Sequence, residues 1–202
     1  MSARPDLPDV VQRAFDVSRR AGYVSFCRNE TGRLLATLAA TRDGTMAEFG
    51  TGCGVGTAWL RSGVRGEKAH IVTAELDPDL ARAAAEIFVD DPLVEVVAAD
   101  WSTLLDKGPF SLLFLDAGQA DAGWSGGWSG GATAEVDVDV VADLVEDGGV
   151  VVLDDFVPCE SWPPVVGGRV DVLRERWLTD ERFTAVEVMV ASDASTIIAT
   201  KR

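Results

Sequence analysis

Histidine occurs once, tyrosine once and cysteine three times in these 202 residues, and each scarcity narrows the chemistry. Cys27, Cys53 and Cys159 are odd in number, scattered, and form no C-x-x-C pair, so reduced thiols are expected rather than a disulfide framework. Basic residues are also few: 18 Lys and Arg stand against 33 Asp and Glu, a net charge of −15. A nucleic-acid binder needs a basic footprint to neutralise phosphates, and none is visible; the acidity reads as a solubility feature. No apolar run approaches the roughly 18 residues that cross a bilayer. The opening MSARPDLPDV lacks the hydrophobic stretch of a signal peptide. These absences predict a cytoplasmic protein without membrane or nucleic-acid partners. The 47% hydrophobic content suits one compact domain over 1–202, and a homodimer is the default assembly.

What the chain does hold is glycine in a tight series. In TMAEFGTGCGVGTAWL, residues 45–60, a short apolar run containing Glu48 leads into Gly50, Gly52, Gly54 and Gly56, then into helix-like sequence. That is a strand, a tight turn and a helix N-terminus. Glycine reaches backbone angles other residues avoid and lets a ligand lie against the main chain, while the helix end offers unpaired N–H groups. A dinucleotide fingerprint requires G-x-G-x-x-G/A; Gly50 and Gly52 put Val55 in the third position, and Gly52 and Gly54 put Thr57 there, so neither register fits.

Around this turn the chain alternates strands and helices. The period of Val10, Val11, Ala14, Val17 and Ala21 predicts a helix over 8–21, and Asn29 is placed to cap a second carrying Leu34, Leu35 and Leu38. Strands are expected at Ala69–Glu75, Leu93–Ala98, Phe110–Leu115 and Val150–Leu153 after the first. Helices are expected after Pro78, over 134–146 and over Val170–Leu178, with Gly148-Gly149 breaking the second of these. Phe183–Val190 and Thr196–Thr200 read as a closing antiparallel pair. The pattern predicts a doubly wound α/β sheet, seven-stranded and mostly parallel with an antiparallel last strand, preceded by two N-terminal helices in a cap over 1–43. GWSG occurs twice over 123–130, a loop with Trp124 and Trp128 at its tip that is either a cover for a flat acceptor or simply a loop.

In such a sheet, ligands gather at the carboxyl ends of the strands. Those ends carry Gly50–Gly54, Glu75, Asp100, Asp116 and the pair Asp154-Asp155. Buried acids need partners, and a cationic ligand with hydroxyl groups supplies them. His70, at the opposite end of its strand, reads as structural. Asp100 is equally suited to capping a helix ahead of Ser102 and Thr103.

Glu48, Gly50, Gly52 and Gly54 resemble motif I, E/D-x-G-x-G-x-G, of the Rossmann-like class I S-adenosylmethionine-dependent methyltransferases, which would make 44–202 a Rossmann-like core. FLDAG (114–118) and GGVVVLDDF (148–156) are similar to motifs of the cation-dependent small-molecule O-methyltransferases of the catechol and caffeoyl-CoA type. The resemblance implies that Glu48 and the turn, with Thr51 inside it, hold the methionine end of S-adenosyl-L-methionine. It further implies that Glu75 accepts the ribose hydroxyls, Leu76 packs on adenine, Asp100 lies near the adenine amino group, and Trp101 lies beside the ring. Asp116, Asp154 and Asp155 would bind a divalent ion such as magnesium, a hard oxygen set, with Asp116 also at the reacting centre and the donor. Two positions depart from the family: Asp155 stands where Asn is usual, and Gln119 stands where the family places a catalytic lysine, although glutamine is no base. The expected activity is O-methylation of a small acceptor, with aromatic hydroxyls among the candidates. Alternatives are a catalytically silent S-adenosylmethionine-binding protein or an NAD(P)-dependent oxidoreductase. The latter is disfavoured by the glycine spacing and by Tyr23 being the sole tyrosine.

Overall fold

The computed structural model describes residues 6–24, 26–116 and 137–202. Two helices come first, α1 (Asp9–Ala21) and α2 (Asn29–Ala39), followed by β1 (Gly44–Phe49), α3 (Val55–Gly63), β2 (Ala69–Glu75), α4 (Pro78–Ile87) and β3 (Val94–Ala98). A 3-10 turn (Trp101–Lys107) then leads to β4 (Phe110–Leu115), α5 (Val138–Leu144) and β5 (Val145–Phe156). A two-stranded ribbon, β6 (Val165–Val166) and β7 (Arg169–Val170), precedes α6 (Val172–Thr179), β8 (Phe183–Ala191) and β9 (Ala194–Lys201).

The seven-stranded sheet runs β3-β2-β1-β4-β5-β9-β8, parallel from β3 through β5 and antiparallel at the β5–β9 and β9–β8 pairings. The expected mostly parallel sheet with an antiparallel last strand is therefore present. Its central strands are apolar on both sides because both sides are covered. Leu112, Phe114, Val150 and Val152 pack on one face with residues of α1, α2 and α3, while Leu113, Leu115, Val151 and Leu153 pack on the other with α5 and Trp177 of α6. Burying such strands on two faces is what fills two cores at once.

Several features differ from expectation. α5 stops at Leu144, and β5 begins at Val145 rather than at Val150; Val145 pairs with Phe110 before a register shift, so Gly148 and Gly149 sit inside an irregular strand instead of ending a helix. α2 starts at Asn29 itself, and Arg28, whose side chain makes no capping bond, holds the N-cap position. The β6–β7 ribbon was not expected; Gly167 and Gly168, both at positive φ, close it. The tandem GWSG loop, Gln119, Trp124 and Trp128 lie outside the described residues.

Candidate functional site

The sheet's carboxyl edge is built around the turn after β1. Gly50 (φ +96°), Gly52 (φ +51°) and Gly54 (φ +84°) all use the left-handed region, which explains the glycine series directly. The N–H groups of Gly50 and Thr51 donate to the carbonyl of Ala74 at 3.1 and 3.2 Å, pinning the turn to β2. Thr51 Oγ1 meets Thr73 Oγ1 at 2.5 Å, Thr73 donates to Glu48 Oε2 at 3.0 Å, and Thr57 donates to the same oxygen. Glu48 thus lies under the turn, fully buried, with its carboxyl pushed up to about 8: burial raises it, the two threonine hydroxyls oppose, and Glu75 adds to the rise.

Glu75 grips the turn from β2. Its Oε2 accepts the N–H of Gly52 at 2.7 Å and its Oε1 that of Asp77 at 2.9 Å. A carboxylate offers about four lone-pair positions, so this grip orients the group and leaves capacity for a ligand's hydroxyls. Leu76 beside it is 70% exposed, an open apolar surface at the edge. Asp100 Oδ1 accepts from Ser102 N–H at 2.9 Å, the capping role the sequence also allowed. Trp101 turns inward, its ring stacked on Phe49 at 5.0 Å and 24°. That indole belongs to the core beneath the crevice.

Asp116 follows β4, its N–H bonded to the Phe49 carbonyl at 3.0 Å. Its carboxyl stands well above the usual range because of burial, with Asp155, Glu48, Asp154 and Glu75 all adding to the rise. Asp154 ends the regular part of β5 and is 3% exposed; its Oδ1 accepts from Thr31 at 3.1 Å and from Thr196. Burial raises its carboxyl, and those hydroxyls with the Asp155 N–H and Arg28 pull it back. Asp155 has a left-handed backbone (φ +68°), and desolvation and Asp154 push its carboxyl to about 6 against the pull of Arg28. Of the acids that the sequence places at strand ends, Glu75, Asp116, Asp154 and Asp155 share one electrostatic neighbourhood with Glu48. Among the described residues no group of three or more His, Cys, Asp or Glu side chains is arranged to share a metal ion.

Two residues at this site carried no sequence signal. Tyr23 packs on the turn so closely that a Cβ at Gly52 would come within 2.8 Å of its ring. Cys27, 2% exposed, has its thiol pushed far up by burial and by Asp116, Asp154, Glu48 and Asp155. Both come from the segment between α1 and α2, which reaches the site through packing over long sequence separations. His70 lies at the amino end of β2, in register with Thr45, and Trp162 is exposed. No helix among the described residues is long and apolar enough to cross a membrane.

A family model described as a methyltransferase domain matches residues 47–156, the span from the glycine turn through Asp155. A putative O-methyltransferase of Mycolicibacterium vanbaalenii is 34% identical over 118 residues, 54% of this chain and 50% of that protein. A probable O-methyltransferase of Mycobacterium tuberculosis is 32% identical over 118 residues, again 54% of this chain and 50% of that one. The chain spans about half the length of the curated relatives it matches. Among solved structures, an O-methyltransferase from Bacillus cereus in complex with SAH aligns with a TM-score of 0.71 at 19% identity, covering 98% of this chain and 92% of that one. The O-methyltransferase TomG from Streptomyces achromogenes, in complex with SAM, aligns with a TM-score of 0.72 at 20% identity over 98% and 92%. At such identities these two speak for the fold.

Proposed function

The chain belongs to the methyltransferase-domain family, and from that membership we propose that it is an S-adenosylmethionine-dependent methyltransferase acting on the hydroxyl of a small acceptor. One observation carries the reading: Glu48, Glu75, Asp116, Asp154 and Asp155 crowd one sheet edge and raise each other's or their neighbours' proton affinity. Such a group is stabilised by a cation, and the donor brings a sulfonium and an ammonium to it.

When bound, the donor supplies a methyl group on positive sulfur, open to in-line displacement. The chain's part is positioning, because charge is neutralised as the methyl moves. In this reading the Gly50–Gly54 turn and Glu48 hold the amino-acid end, Glu75 takes the ribose hydroxyls, and Asp100 and Leu76 border the adenine. Asp116 accepts the hydrogen bond of the acceptor hydroxyl and aims its oxygen at the methyl carbon.

Calorimetry with S-adenosylhomocysteine, S-adenosylmethionine and NAD tests the donor, with the first two expected to bind. NAD binding alone would overturn the proposal. Glu75→Ala should weaken S-adenosylhomocysteine by about tenfold or more, the equivalent of losing charge-assisted hydrogen bonds, and lower the melting temperature as the Gly52 and Asp77 N–H groups lose their acceptor. A second reading keeps the donor site without turnover, and its support is Gln119 in the position of the family lysine. Methylated product from a panel of catechols and phenols would separate the two.

A further inference from the structure

Asp154 is the aspartate in which this chain's geometry and the family's metal pattern part company. Its Oδ1 receives two hydroxyl hydrogen bonds, from Thr31 on α2 at 3.1 Å and from Thr196 on β9, and the Asp155 N–H donates to the same carboxylate. Both threonines are fully buried. A carboxylate oxygen offers about two lone pairs, so these hydroxyls fill Oδ1 and leave a cation only Oδ2, on a carboxylate that the Asp155 N–H also engages. Turning them away would strand buried donors, which is unfavourable. We propose that Asp154 is a positioning residue, the latch that fixes α2 and the segment before it over the donor crevice, rather than a ligand of a divalent ion.

The latch joins three elements far apart in sequence, with separations of 123 and 42 residues. Directly before α2 stand Cys27 and Arg28, while Tyr23 is held at the end of α1 by its N–H to the Ser18 carbonyl at 2.9 Å. Tyr23 lies on Gly52 of the turn, and Cys27 is buried beside the carboxylates. A second tie, Arg28 to Asp193 at 3.0 Å, is exposed and contributes little by comparison. The register of α2 on Asp154 therefore sets how Cys27 meets the crevice beside Tyr23. The consequence for donor affinity rests on the donor reading above; the statement about metal does not.

The test uses the intact chain and three variants, Asp154→Ala, Asp154→Asn and Thr31→Val. Four quantities are followed: S-adenosylhomocysteine affinity, manganese binding by titration, melting temperature, and amide exchange in α2. Asp154→Ala and Thr31→Val should each weaken S-adenosylhomocysteine by about tenfold and speed exchange in α2, whereas Asp154→Asn, whose amide oxygen still accepts both hydroxyls, should stay within about threefold of the parent. A residue that merely stabilised the fold would lower melting temperature and leave the affinity of the folded protein unchanged. Affinity in the parent should be the same with EDTA or with excess manganese. Saturable manganese binding that Asp154→Asn weakens more than about tenfold overturns the proposal, as does S-adenosylhomocysteine affinity indifferent to Asp154→Ala. If Asp154→Ala does not fold, Thr31→Val carries the same comparison. Failure of the parent to bind S-adenosylhomocysteine would sink the donor reading, and manganese titration with α2 exchange would still decide the latch.

Discussion

Glu48 is the side chain whose burial is hardest to sustain without a ligand. Its Oε2 holds two threonine hydroxyls, but Oε1 has no hydrogen-bond partner among the described residues and lies against Gly56, where a Cβ would come within 2.0 Å of it. Burial pushes its carboxyl up to about 8 in the fold, against an ordinary value of 4.5. The sign follows from proton counting. Between those two values the folded chain keeps a proton that the unfolded chain releases, so stability falls as pH rises from 4.5 to about 8 and then levels. Asp155, at about 6, acts in the same direction. Glu48→Gln should therefore flatten much of this decline and stabilise the donor-free protein at pH 8 by on the order of 1–3 kcal/mol, while weakening donor affinity. Urea unfolding of both proteins across that range is the check; parallel curves would mean that Glu48 ionises freely.

At the level of elements, the tight contact between α2 and α3 depends on missing side chains. A Cβ on Gly32 would come within 2.2 Å of the Trp59 indole, and one on Gly63 within 2.0 Å of the Ala36 carbonyl. Gly32→Ala gains up to about 1 kcal/mol of helix propensity, yet it pushes on a tryptophan only 1% exposed, and overpacking of that kind costs about 1–3 kcal/mol. We expect a net loss of stability, read as a lower urea midpoint at unchanged slope; a gain would show that the helices cross with room to spare. Neither contact was legible in the sequence, because a helical glycine reads the same whether it faces solvent or an indole. The sheet was legible because its signal is local. Phe110–Leu115 is apolar but for Ser111, as suits a strand covered on both faces, and the glycine turn advertises its backbone angles. The strand-end acids followed from that register alone. What escaped was whatever depends on distant packing or weak local preference: Tyr23 on Gly52, Cys27 among the acids, the inward turn of Trp101, and the early start of β5 at Val145, where a valine-rich run satisfies helix and strand equally.

For the whole molecule, the crevice acids are among the 33 Asp and Glu that set a formal net charge of −15, so the surface and the site disfavour the same class of ligand. A cationic donor is drawn in by such a field, while an acceptor carrying several negative charges meets repulsion both on approach and at Asp116. Neutral catechols and phenols should therefore outperform acceptors bearing phosphate or several carboxylates, provided the reacting hydroxyls are alike. The difference should shrink with salt, since the screening length falls from about 10 Å at 0.1 M to about 3 Å at 1 M. The measurement is the ratio of kcat/KM for a neutral acceptor to that for an anionic one of the same ring, followed from low to high ionic strength. We expect a ratio above one that falls several-fold as salt rises, carried by the KM of the anionic acceptor and not by kcat. A ratio indifferent to salt would mean that specificity is set by contacts inside the pocket, with the molecule's net charge playing no part in choosing the acceptor.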